Sequence, residues 1–451
     1  LRSIFGEDKT VLRGGYRIAY DPAFYNIFSN MATAAPVVNL GSLSNVALPA
    51  SGTGAGAQSA YFPLIPRGAN PGARSQTRVT NDFHNPYTEQ WSFGIERTVN
   101  SKVAFESRYV GNHTVGNFTT INGNPRLDLL PSSILPTGVK PCTTAGTPGL
   151  GREDCDFSLL RVRNNGAFSI YHGLQNQVNL RNWHNFTANV AYTWSKAIDN
   201  VSEIFQSDAG IGTPIAQNPF DTTNGERGVS AQSFPHVVTS YWIYELPWMK
   251  SQQGILGKVL GGYQIGGTYR YQTGAPFTPY QAAGFNTACD STFSATFIGV
   301  ENCRPILANP NAPFDQVGSY SKNATTGVVT LQNNSTGLPT TTNDVHFIIN
   351  SQLADSILCN GNPFACTVSR NTFRSQSRNQ LDMSVQKGLK FGERINLQLR
   401  ADMFNVTNYM FRGLPDPEVD DVNVANAGTF GGNLFRTSGR RFMQLSAHIT
   451  F

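Results

Sequence analysis

Ten segments, each about ten residues long, alternate apolar and polar side chains, and few folds tolerate that pattern repeated so often. In one, Phe186, Ala188, Val190, Tyr192 and Trp194 oppose Thr187, Asn189, Ala191, Thr193 and Ser195. In another, Ile395, Leu397, Leu399, Ala401 and Met403 oppose Asn396, Gln398, Arg400 and Asp402. The closing "RRFMQLSAHITF" puts Met443, Leu445, Ala447, Ile449 and Phe451 on one side, and Gln444, Ser446, His448 and Thr450 on the other. A period of two is that of a β-strand with one apolar and one polar face. The same reading applies to 10–20, 87–99, 102–111, 171–181, 236–246, 262–274 and 379–389. Each segment has about the 9–11 residues that a tilted strand needs to cross a bilayer.

The connections carry independent information, because their lengths alternate. Short ones are Gly6–Lys9, Asn100–Ser101, Asn182–Asn185, Trp248–Gly261 and Phe391–Glu393. Between them lie 21–86, 112–170, 197–235, 275–378 and 407–438. Short turns at one rim and long loops at the other mark an outer-membrane barrel. A soluble sandwich has no reason to sort its loops by parity, and a structureless loop of about 100 residues would be foreign to it. The expected fold is all-β: an antiparallel transmembrane β-barrel with long extracellular loops.

Composition agrees with this reading. Charged residues are 14% of 451, against roughly 25% in soluble domains. Mean hydropathy is −0.27, and no run of about 18 apolar residues offers a spanning helix. The start, "LRSIFGEDKTVLRGGY", lacks the basic and apolar regions of a signal peptide and reads as mid-strand. The net charge of +5 is dispersed, which gives no case for nucleic acid. Aromatics gather toward strand ends: Tyr192, Trp194, Tyr241, Trp242, Tyr269, Tyr271 and Phe451. That is the girdle position at a lipid–water boundary, although strand propensity alone also favours aromatics.

Several strings resemble a family. "NPYTEQWSFGIERTV", "VAFESRYVGNHT" and "YHGLQNQVNLR" leading into "VAYTWSKAIDN" look like the barrel of TonB-dependent outer-membrane receptors. "YQIGGTYRYQTGAPFTP", "NQLDMSVQKGLKFGERINLQLRADMFNVTNY" and the final Phe451 fit the same pattern. The resemblance is to a group, abundant in acidobacteria, with an N-terminal carboxypeptidase-regulatory-like domain. It implies a 22-stranded barrel, a plug inside it and import driven through TonB. It also implies residence in the bacterial outer membrane among phospholipid and lipopolysaccharide, with assembly machinery reading the C-terminal strand. The family's plug, TonB box and N-terminal module have no counterpart in these residues. Residues 1–451 are therefore expected to be the C-terminal part of one barrel domain, with "LRSIF" the tail of a further strand. The alternative is a complete ten-stranded barrel with an enzymatic, structural or adhesive role.

Residues that could carry chemistry are sparse. No HExxH or GxSxG is present, and "GILGKVL" lacks the spacing of a phosphate-binding loop. His113, His172 and His346 sit in or beside long loops without carboxylate partners nearby in sequence. An enzyme and a cofactor are accordingly not expected. Asp416, Glu418, Asp420 and Asp421 could hold a hard cation through oxygen, or form a solvated acidic loop. Arg13, Arg17, Arg108, Arg270 and Arg400 fall within strands; Arg270 and Arg400 lie on polar faces, where they could meet an anionic ligand or a plug. The ligand could be an oligosaccharide, a peptide or a metal chelate. Six cysteines lie outside the strands. An even count in an oxidising compartment favours disulfides, and local pairing is the cheapest scheme: Cys142–Cys155, Cys289–Cys303 and Cys359–Cys366.

Overall fold

Period-two segments form hydrogen-bonded ladders, and here each ladder joins a strand to the next long strand in the chain. A computed structural model describes residues 9–22, 28, 29, 31, 76–158, 160–202, 216–281, 304–392, 395–412, 415, 417–419 and 439–451. Ten strands make one continuous wall. They are β1 (Thr10–Tyr20), β2 (Tyr87–Asn100), β3 (Val103–Asn122), β4 (Leu160–Trp183) and β5 (Phe186–Asp199), followed by β6 (His236–Glu245), β7 (Tyr263–Gln272), β8 (Arg378–Phe391), β9 (Ile395–Phe404) and β10 (Phe442–Thr450). Their spatial order is their sequence order, and every neighbouring pair is antiparallel. Among the described residues β1 and β10 are the two ends of that order.

Because the strands alternate in direction, the connections 101–102, 184–185, 246–262 and 392–394 share one rim. The long connections share the other, as the parity of their lengths predicts. Of the expected turn Gly6–Lys9, all but Lys9 lies outside the described residues. Turn chemistry explains the tight rim. Asn182, His184 and Asn185 take φ of 46°, 51° and 63°, a region that Asn tolerates better than most residues. The Asn100 carboxamide accepts from the Lys102 N–H at 2.8 Å, closing the β2–β3 turn.

Two boundaries differ from the sequence reading. β3 runs on to Asn122, and β4 begins at Leu160. In these extensions Thr119, Thr120, Asn122, Arg161 and Arg163 are buried under loop structure. With both faces covered the alternation disappears, so the pattern could not report them. The short strand Gln76–Val79 lies parallel to the start of β4. The connection 246–262 also holds a helix that was not foreseen, α1 (Gly254–Leu260).

Among the described residues the wall strands bury only scattered apolar side chains, such as Phe118, Leu160, Ala167 and Ala188, and form no apolar cluster of their own. The buried apolar clusters lie in the long loop between β7 and β8, around Ile306, Leu331, Val345 and Ile348, and around Val317, Phe347 and Val368. By contrast the apolar face of the wall is bare: Leu445 is 73% exposed, Phe93 60%, Ile449 58% and Trp194 57%. A soluble protein rarely leaves so continuous an apolar surface open to water. On this face Trp91 lies over Gly111 and Trp242 over Gly267, so close that a Cβ on either glycine would meet the indole at 2.5 and 2.8 Å. Each ring thus covers the gap left by the facing glycine.

The two faces predict opposite responses at adjacent positions. Leu399→Arg, at the middle of β9 on the apolar face, is expected to cost about 2–4 kcal/mol of folding stability in lipid vesicles. Gln398→Arg, one residue away, is expected to cost less than about 1 kcal/mol, as polar-face changes do. Urea titration of both variants in the same bilayer measures the difference; equal costs would refute the assignment of faces.

Candidate functional site

Residues directly opposite each other in a ladder share a face, so the register can be followed across the wall. One row runs Arg13, Gly94, Arg108, Gln175, Thr193, Val237, Gln272 and Arg378. Arg17, Arg270 and Arg400 fall on the same face through Gln90, Gln380 and Gln386. All five arginines singled out from the sequence therefore line one polar surface. Each is already engaged. Arg13 pairs with Glu96 at 2.8 Å, Arg108 with Glu106, and Arg400 with Asp402 at 2.7 Å. Arg17 donates to Gln90 at 2.7 Å and Arg270 to Gln272 at 3.1 Å. Arg270 and Arg400 are not brought together. Their partners on β8, Gln380 and Gln386, are six residues apart, about 20 Å of strand.

Above the wall, loop residues far apart in sequence are clasped by two buried ion pairs. Arg370 bonds the Asp199 carboxylate and carbonyl, the Glu226 carbonyl at 2.9 Å and the Ser202 hydroxyl at 2.8 Å. Arg304 donates to the Glu226 carboxylate at 2.5 Å and to the Gln217 side-chain amide oxygen at 2.6 Å. These four charged side chains are at most 6% exposed. The clasp fixes the 200–235 loop against the 273–377 loop. Two disulfides add local ties, Cys142–Cys155 and Cys359–Cys366. Cys289 and Cys303 lie outside the described residues.

Beside the clasp opens a cavity of about 730 Å³, lined by Phe277, Phe314 and Phe373 with Arg374, Gln376, Tyr409 and Arg412 among its polar groups. The phenyl rings meet edge-on or tilted, with centroids 5.3–6.1 Å apart. Gln376 donates to the Tyr409 hydroxyl at 2.8 Å, and that hydroxyl donates to the Ser377 carbonyl at 2.9 Å. Arg374 donates to the carbonyls of Ser233 and Gly274 at 2.8 and 3.1 Å. Burial pushes its pKa below the usual guanidinium range. An aromatic floor with two guanidinium groups suits a ligand that has a flat or apolar body and an acidic edge. No sequence motif marks this cavity, because Phe277 and Tyr409 are 132 residues apart (409 − 277).

Other residues noted in the sequence are dispersed. Glu418 is half-buried and bridges to Tyr280 through the backbone. Asp416, Asp420 and Asp421 lie outside the described residues, among which no His, Cys, Asp and Glu grouping could hold a metal. His113 lies 3.5 Å from Glu89, on the apolar face. His172 meets the Tyr109 hydroxyl at 2.7 Å, and His346 is buried against Phe314 and Phe347. His448 is on the polar face opposite Gln398. Tyr192, Trp194, Trp242, Tyr269 and Tyr271 share the apolar face, and Phe451 is fully exposed. Tyr241 does not join them. Its neighbours Asn189 and Thr268 place it on the polar face, one step out of phase.

Two substitutions test the loop clasp and its charge. Arg370→Met leaves Asp199 buried without its cation, and is expected to destabilise the loop structure by about 3–5 kcal/mol, read as earlier loss of protease resistance. The second concerns Asp355 in the helix α2 (Gln352–Leu358), whose Oδ1 is buried without a partner. Burial pushes its carboxyl from 3.8 up to about 7. The folded state then holds a proton that the unfolded state has released, so this group's contribution to stability falls as pH rises from about 4 to about 7. Asp355→Asn should therefore stabilise the loops at pH 8 by roughly 2–4 kcal/mol relative to wild type, with the gain vanishing near pH 4. A gain that persists at pH 4 would show that the carboxylate charge is not its cause.

Comparison with known proteins places this architecture. Residues 3–444 match the family model described as an outer membrane beta barrel domain. The sequence matches none of the curated proteins searched. Among solved structures, the chain is similar to the outer membrane transporter YddB of Escherichia coli, with 10% identity and a TM-score of 0.42, over 99% of this chain and 39% of that one. It is similar to the siderophore receptor PirA of Acinetobacter baumannii, with 11% identity and a TM-score of 0.39, over 98% and 39% of the two chains. For P. aeruginosa FpvA bound to pyoverdines the values are 8%, 0.37, 98% and 31%. The chain thus spans about two fifths or less of the length of these proteins. With the family model matching nearly its whole length, the chain belongs to the outer membrane beta barrel domain family and resides in the bacterial outer membrane.

Proposed function

We propose that this chain is the barrel portion of a TonB-dependent outer-membrane receptor, importing an oligosaccharide, a peptide or a metal chelate. The observation that carries the reading is the wall itself. Ten strands in sequence order present one predominantly polar face that carries five hydrogen-bonded arginines, and β1 and β10 each have a single partner among the described residues. Backbone groups unpaired at membrane depth cost several kcal/mol each, so both edges require further strands. In this reading those strands belong to the same polypeptide, completing a barrel of about 22 strands in which 1–451 is the C-terminal part.

The plug and the TonB-contacting segment then lie outside this chain, and β10 is the strand read by the assembly machinery. The polar face with Arg13, Arg108, Arg270 and Arg400 contacts the plug or the passing ligand by charge-assisted hydrogen bonds. The clasped loops and their aromatic cavity provide the outer capture surface, within the 300–1,000 Å³ typical of small-molecule sites. Tyr192, Trp194, Trp242, Tyr269, Tyr271 and Phe451 serve as membrane girdle, with lipopolysaccharide and phospholipid as neighbours. Cys289–Cys303 completes the local disulfide scheme. The chemistry is binding and release, with no bond broken.

The test is to express residues 1–451 and the full-length protein separately in an outer membrane and follow uptake of a panel of ferric chelates, oligosaccharides and peptides. The full-length protein should import at least one of them, and a protonophore should abolish that uptake. The fragment should import none. Energy-dependent uptake by the fragment alone would overturn the reading.

A further inference from the structure

The connection between β6 and β7 carries an apolar surface that the wall does not explain. In α1 the side chains of Ile255, Leu256, Val259 and Leu260 are 83%, 68%, 56% and 49% exposed. At 100° per residue these four positions cover one side of the helix. Trp248 and Met249, just before it, are 65% and 47% exposed. A seven-residue helix is marginal by itself, so its setting must hold it. That setting is specific. The Lys387 ammonium donates to the Val259 carbonyl at 3.0 Å and to the Gly261 carbonyl, satisfying the last turn. It also stands 4.2 Å from the centroid of the Tyr263 ring, and Lys258 stands 5.2 Å from that of Phe391.

The register says which side of the wall this is. Lys387 is opposite Leu399 and Tyr263, and Phe391 is opposite Ile395. All belong to the apolar, lipid-facing surface. The helix is thus fastened to the outside of the barrel at the short-turn rim, which is periplasmic. Its apolar side is exposed at that rim.

We propose that α1 is an interfacial anchor lying in the periplasmic leaflet of the outer membrane, its apolar side in the acyl boundary. The occupant of this surface is an anionic phospholipid layer. Lys258 and Lys387 flank the helix on this side, over the Phe391 and Tyr263 rings, whereas Lys250 pairs with Glu245 of the polar face at 3.3 Å. Lysines beside an apolar helix face, with a tryptophan at its approach, are what an anionic lipid–water boundary selects. The inference needs only residence in the outer membrane and is independent of the transport reading.

The full-length protein is reconstituted in phosphatidylethanolamine vesicles with and without phosphatidylglycerol. A nitroxide is attached through an unnatural ketone-bearing residue in place of Ile255, Val259, Leu445 or Ser101, leaving the cysteines untouched. Oxygen and a polar nickel complex then report depth. Labels at Ile255 and Val259 should show an oxygen-to-nickel accessibility ratio approaching that at Leu445 and well above that at Ser101. A ratio equal to that at Ser101 would overturn the proposal, and so would exclusion of both reagents, which would mean a protein partner covers the helix. Phosphatidylglycerol should shift the Ile255 label deeper, and the shift should be lost in Lys258→Gln. A shift that persists in that variant would overturn the role given to the lipid charge.

Discussion

The strand wall follows from the fact that hydrocarbon offers no hydrogen bonds. A peptide group at membrane depth must find its partner within the protein, and strands can do so only sideways. The ten-strand wall is the result, with each ladder running in order from β1 to β10. The same constraint dictates side-chain choice. Where one face meets lipid and the other water, every second residue must change character, and a single register slip would invert a whole strand. The wall therefore needs no core beneath it to hold its strands together.

Beyond the bilayer the constraint lapses and the chain solves a different problem. The extracellular loops bury Ile306, Val345, Phe347 and Ile348 as an ordinary protein interior does. They also bury charge. Desolvating Arg370, Asp199, Arg304 and Glu226 is costly, and pairing them with additional carbonyl and hydroxyl bonds offsets the cost. What such pairs contribute is geometry: Arg370 reaches four acceptors on residues 144–171 positions away, and few other loop arrangements satisfy it.

These two regimes explain what could be read from the residues alone. All ten wall strands were legible because lipid enforces the period, as in Phe186–Trp194 and Ile395–Met403. The turns were legible through Asn182 and Asn185 and through the parity of connection lengths. The upper parts of β3 and β4 were not, since Thr119, Thr120 and Arg163 are covered on both sides and obey no alternation. Tyr241 was misplaced because an aromatic next to Trp242 carries the same strand propensity on either face. The clasp and the aromatic cavity were invisible for a topological reason: the partners meet only after loops from different strand pairs fold together. Cysteine pairing escaped that difficulty where it was local, as at Cys359 and Cys366.

The clasp has a consequence for how such a surface can change over generations. Arg370 and Arg304 hold the base of the loops, whereas the hairpin formed by Val317–Lys322 and Val329–Asn333 ends in the exposed turn 323–328. Insertions or substitutions at that turn leave the buried charges and the wall untouched. A foundation cross-tied at its base lets the outermost outline drift, while the clasp and the strand wall stay the same.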